Sequence, residues 1–226
     1  MQSTKPEEWI HFPYEILFSD KTLLPNWICS LAQIANDLGI TNMVLEEKMG
    51  DDPNNESPEV SYYFALACSH LREATKYLFD TLELPEVKDF VAELDTPAQD
   101  NLVAIKSTYE PWENSFIQTV AMPIRNSVFH YPKPDEKEWS DLRIALKDAF
   151  GEFRVRGTDI TSARFVFADD IRLNYYQLLL KQNNKDLESN ISTLAKVGAE
   201  IFVFAQIAVI HFMDKMPSEN IYKGRR

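Results

Sequence analysis

The chain has 226 residues, 45% of them apolar, only six glycines and a formal charge of -12. That length and apolar content suffice for one buried core, and the scarcity of glycine disfavours both disorder and an all-β fold rich in tight turns. A field of this sign opposes the counterion release on which general nucleic-acid binding depends, so any contact with nucleic acid has to be local.

The N-terminus carries Glu7 and Glu8 and has neither a basic stretch nor a hydrophobic signal core, which sets the expectation of a cytoplasmic protein. Ile10, Phe12, Tyr14, Ile16 and Phe18 alternate at period two, and Pro13 restricts such a strand to a sheet edge or an extended arm. From Lys21 the period changes. Leu24, Ile28, Leu31, Ala35 and Leu38 recur every three or four residues, predicting a helix with one buried stripe and Gly39 as its C-cap. Glu46 to Pro58 contains Gly50, Asp51, Asp52, Pro53, Asn54 and Asn55 and reads as an exposed loop.

Ser57 as N-cap and Pro58 at the first helical position open a strong helix. Val60, Phe64, Ala67, Leu71, Ala74, Leu78 and Leu82 form its inner face. Ser69, Arg72, Glu73, Lys76 and Asp80 form its outer face, with His70 on the border as a structural side chain. Pro85 begins a short helical turn, and Thr96-Pro97 begins a helix through Leu102, Ile105 and Tyr109. Pro111 and Pro123 then impose kinks or restarts, because each lacks a backbone donor and clashes with the preceding turn. With Pro123 as the first residue of a new helical piece, Arg125 lies in a first turn, where free N–H groups favour an anion.

Pro134 with Asp135-Glu136 starts the next helix, striped by Trp139, Leu142, Leu146, Ala149 and Phe153. Residues 153–168 permit a small β-hairpin insertion or a loop running into the following helix. Ile171, Tyr175, Leu178 and Leu179 mark that helix, which stops at Gln182-Asn183-Asn184. Asp186 to Met216 is apolar on nearly all sides around Leu194, Gly198, Ile201, Ala205 and Phe212, and is expected to be the central helix. Its greasiest part, Val197 to Met213, is interrupted by Glu200, Gln206 and His211 and reads as too short to span a bilayer, so no membrane partner is expected. The tail Lys223-Gly224-Arg225-Arg226 is basic and expected to fray. Cys29 and Cys68 sit in apolar helical patterns without metal-ligand spacing and read as reduced, buried thiols.

The most suggestive chemistry lies in Met122 to Pro132. This window places Arg125, Asn126 and His130 close together, with Tyr131 and Lys133 following, and no Asp or Glu occurs between Asn114 and Pro134. Arginine stays charged and offers a planar fork to phosphate oxygens, whereas an imidazole can give or take a proton near neutrality. Arg125 would then bind and stabilise a crowded phosphate, His130 would move protons, and Asn126 would orient a 2'-hydroxyl or the imidazole. On an ideal helix, however, a five-residue offset turns Arg125 and His130 about 140° apart. Either the break at Pro132 swings His130 back, or a two-fold dimer brings two copies of the motif into one cleft. The structural alternative pairs Arg125 with a surface acid and packs His130 against Pro132 and Trp139.

Arg125 followed by Asn126 and, three residues further, by His130 resembles the signature of the HEPN superfamily. Ser69-His70-Leu71-Arg72-Glu73-Ala74 is similar to the first core helix of such proteins. The resemblance implies an all-α, up-and-down helical bundle over residues 56–216, with an N-terminal extension over 1–55 and a basic tail over 217–226. It further implies a homodimer with a metal-independent composite site that cleaves single-stranded RNA, in a prokaryotic defence or toxin role with an antitoxin-like protein partner. Arg125, His130 and Asn126 would be catalytic, with Tyr131 and Lys133 binding substrate. The tyrosine that some HEPN toxins carry two residues beyond the histidine is Pro132 here, so the regulation attached to it is not carried over. The sequence contains no phosphate-binding glycine loop, serine elbow or di-iron pattern, and no cofactor is expected. The competing expectation is a catalytically inactive helical dimer that binds a protein or nucleotide.

Overall fold

The computed structural model describes residues 8–14, 23–51, 58–129, 147, 171–172, 174–178, 187–216 and 222–225. The fold is an all-α helical bundle. Its elements in chain order are β1 (Glu8–His11), α1 (Leu24–Asp51), α2 (Pro58–Thr81), α3 (Pro85–Ala92), α4 (Thr96–Tyr109), α5 (Met122–Phe129), α6 (Leu187–Asp214) and β2 (Tyr222–Arg225). Residues 171–172 and 174–178 are also helical, and Tyr176, which is not part of the expected stripe, is buried. The helix expected after Pro134 and the hairpin or loop at 153–168 lie outside the described residues.

α6 is the element around which the others gather, packing against α1, α4 and α2. Leu194, Val197, Ile201, Phe204, Ala205 and Ala208 from this helix are all buried in one apolar cluster. The cluster includes Trp27, Leu31, Leu38 and Leu45 of α1, so the helix assigned to an N-terminal extension contributes to the same core as α2. α6 is longer than its greasiest stretch suggests. By length and composition alone Ser189–Asp214 is long and apolar enough to cross a membrane, a test that a core helix also passes.

Gly39 does not cap α1; the helix runs through it to Asp51. The reason is tertiary, because a Cβ at Gly39 would stand 3.1 Å from Cε2 of Phe202 on α6. Gly198 is the reciprocal case, where a Cβ would meet the Asn42 amide nitrogen at 3.1 Å. These two contacts also show that α1 and α6 run antiparallel, since residues 39 and 42 meet 202 and 198. Glycine lowers intrinsic helix propensity by about 1 kcal/mol, and close helix packing overrides that cost here.

α2 follows its expected stripe: Val60, Phe64, Ala67, Leu71, Ala74, Leu78 and Leu82 are buried. Ser69, expected outside, is buried as well, with its hydroxyl donating to the carbonyl of Ala65 at 2.8 Å. A serine that satisfies itself on its own helix can face the core at little cost. Cys68 is fully buried, and desolvation pushes its thiol well above the usual range. Cys29 is only half-buried. Iodoacetamide is therefore expected to label Cys29 in the folded protein and Cys68 only after denaturation, as read by peptide mass spectrometry.

The terminal residues are not frayed at Tyr222–Arg225, which pairs antiparallel with Glu8–His11, Trp9 standing opposite Gly224. The expected N-terminal strand is thus present, but four residues long and ending at His11. Its partner comes from the far end of the chain.

Candidate functional site

The two prolines shape the corner that carries Arg125. α4 begins with Asp95 as N-cap, its carboxylate accepting from the Ala98 N–H at 3.1 Å, and ends at Tyr109 ahead of a cis Glu110–Pro111 peptide. A 3-10 turn at Trp112–Asn114 and a π-helical turn at Ile117–Ala121 lead into α5. The π turn answers the chemistry of Pro123. Proline offers no N–H and its ring crowds the carbonyl four residues back, so a widened turn just before it keeps the backbone helical.

This continuity corrects one expectation. The Met122 N–H donates to the Ile117 carbonyl, and Pro123 has none to offer. α5 therefore continues a helical path, and its start does not supply the free donors that would attract an anion. Any anion recognition at Arg125 has to come from side chains.

Ile117, Val120, Ala121 and Ile124 are buried where the π turn and α5 pack on α2. Arg125, next to Ile124 on the helix, projects along the flank of that contact. Its Nη1 donates to the Asn126 side-chain oxygen at 3.3 Å, and its Nη2 lies 3.4 Å from Oε1 of Glu73. The same Oε1 accepts from Arg72 Nη1 at 2.7 Å. Two guanidinium groups from different helices thus converge on one carboxylate oxygen. The side chains of Arg72, Arg125 and Glu73 are 23%, 32% and 53% exposed, so the cluster is open to solvent.

One turn away on α2, Nδ1 of His70 lies 3.6 Å from Oδ2 of Asp37 on α1. His70, Glu73 and Tyr77 line one wall of a groove of about 280 Å³, and Ser30, Gln33 and Asp37 line the other. Arg125 and Asn126 are thus brought together as expected. His130, Tyr131 and Lys133 lie outside the described residues. The acid expected in the structural alternative is Glu73. His70, Glu73 and Asp37 are site residues that the sequence reading passed over. The available signal was the spacing of His70, Glu73 and Tyr77 along one helical flank, since residues three and four apart share a face.

Among the described residues no group of three His, Cys, Asp or Glu side chains is placed to hold a metal. No protein-family model, curated protein or solved structure matches the chain.

Proposed function

We propose that the protein is a HEPN-like, metal-independent endoribonuclease that cleaves single-stranded RNA, in a prokaryotic defence or toxin role. Arg125 binds and stabilises the reacting phosphate, His130 moves the protons, Asn126 orients the 2'-hydroxyl or the imidazole, and Tyr131 and Lys133 contact the substrate. The observation that supports this reading most is the half-buried guanidinium of Arg125 beside Asn126, near a groove and next to a second arginine. Its ion pair with Glu73 is no obstacle. A half-exposed pair contributes about 0–1 kcal/mol, so an incoming phosphate competes with it readily. The test is incubation of the purified protein with single-stranded RNA in excess EDTA; RNA that stays intact removes the proposal.

The active unit is proposed to be a homodimer, with an antitoxin-like protein as a further partner. In a chain of charge -12, self-association favours a face free of acids. One groove whose lining carries no acid follows the seam of α1 and α6, where Ile40 and Ile210 are each more than half exposed beside Ala32, Ala35 and Gly39. Single acidic replacements at the exposed Ile40 or Ile210 are expected to shift a sedimenting dimer to monomer while leaving the helical circular dichroism unchanged. A wild-type protein that sediments as a monomer contradicts this.

The same apolar seam favours a second reading, a catalytically silent helical dimer that binds a protein or nucleotide partner. Specific capture of a partner together with intact RNA would select it.

A further inference from the structure

We propose that Glu73 is a built-in competitor at Arg125: its carboxylate engages the guanidinium until a phosphate of single-stranded nucleic acid displaces it. That the displacing ligand is RNA rests on the ribonuclease reading, to which the competition adds how access to Arg125 is set.

The contact has the chemistry of the ligand it would exclude. A carboxylate and a phosphodiester each present two oxygens that share a negative charge, and a guanidinium binds either through the same planar set of N–H donors. Oε1 of Glu73 lies 3.4 Å from Nη2 of Arg125, so the carboxylate takes up an edge of the fork that a phosphate would use.

The contact is also built to open. α2 and α5 pack against each other, and Ala74, next to Glu73, and Ile124, next to Arg125, are both buried, so the two backbones are fixed. The paired side chains are partly exposed and free to swing from these anchors. Arg72 gives the displaced carboxylate somewhere to stay. Its Nη1 donates to the same Oε1 at 2.7 Å, the shorter of the two contacts, so Glu73 keeps a charged partner when Arg125 turns to a ligand. Displacement therefore strands no charge, and what it costs is one half-exposed ion pair, which is small. The groove's other carboxylate, Asp37, lies 3.6 Å from Nδ1 of His70 and adds to the local negative field in the same sense as Glu73. A test of the competition has to separate direct occupancy of Arg125 from that field.

The experiment measures binding without cleavage. A fluorescent oligothymidylate carries phosphodiesters but no 2'-hydroxyl, so its anisotropy reports affinity alone. Glu73→Gln is expected to tighten binding by about two- to fivefold, the range that one partly exposed ion pair allows. Glu83→Gln removes the same single charge at the exposed pair with Lys88, beyond the end of α2, and is expected to leave affinity unchanged. The gain from Glu73→Gln is expected to vanish when Arg125→Gln is added, because no guanidinium is then left to compete for. Far-ultraviolet circular dichroism checks that each variant is folded. Affinity in Glu73→Gln equal to or weaker than the wild type, an equal gain in Glu83→Gln, or a gain that persists in the Arg125→Gln background overturns the competition. RNA cleavage measured alongside separates the two ideas. Cleavage by the wild type with no gain in Glu73→Gln leaves the ribonuclease and removes the competition, whereas an Arg125-dependent gain in a protein that never cleaves does the reverse. Absence of binding and of cleavage in both the wild type and Glu73→Gln removes both.

Discussion

Phe204→Ala is expected to lower the unfolding free energy by about 3–5 kcal/mol, among the largest losses a single core truncation produces. Phe204 is fully buried on α6, its ring set edge-on to Trp27 of α1 with centroids 6.5 Å apart. Trp27 in turn meets Phe90 of α3 at 6.0 Å and donates from its indole N–H to the Thr81 hydroxyl at 2.9 Å. Removing one ring therefore opens a cavity where several elements meet, and also removes an aromatic pair worth about 0.5–1.5 kcal/mol beyond its area. For a chain of this length the loss corresponds to a fall in Tm of roughly 6–20 °C. Val203→Ala, one residue away but exposed, should move stability by no more than about 0.5 kcal/mol. Equal melting temperatures for the two variants would show that α6 is not the central helix.

On the proposed ribonuclease reading, Arg125→Ala carries the second large effect, and it is expected to fall on activity rather than stability. Loss of one charged group that stabilises a developing oxyanion slows chemistry by about 10²–10³-fold, equivalent to about 2.7–4 kcal/mol of transition-state stabilisation. The stability change should be small, because the pair with Glu73 is half exposed and Ile124 rather than Arg125 anchors α5 in the core. Single-turnover rates against thermal melting distinguish the two roles. A variant that cleaves like the wild type but melts much lower would assign Arg125 to structure alone.

Much of the helical framework was legible because it depends on local periodicity. The buried stripe of α2, from Val60 to Leu82, repeats every three or four residues, and nothing but a helix places those positions together. Thr96-Pro97 likewise marks the start of α4, where the geometry of proline suits a first turn. What escaped the reading depends on distant partners. Gly39 looks like a helix stop until Phe202 is known to lie against it. Tyr222–Arg225 looks like a loose tail until Glu8–His11 is known to pair with it. Ser69 looks solvent-facing until its hydroxyl is seen to bond its own helix.

The site divides along the same line. Arg125 and Asn126 were visible as neighbours in the chain. Glu73 and Asp37, which set the surroundings of Arg125 and His70, are 52 residues before the one and 33 before the other, and no local pattern reports such pairs. The first turn expected at Pro123 failed for a related reason: a π turn can absorb a proline without starting a new helix.

The most direct measurement is the fate of a labelled single-stranded RNA mixed with the protein in excess EDTA, with Arg125→Ala and His130→Ala run beside it. A ribonuclease of the proposed kind yields fragments ending in 2',3'-cyclic phosphate from the wild type and almost none from either variant. Full-length RNA in every lane, or the same fragments in all three, contradicts it.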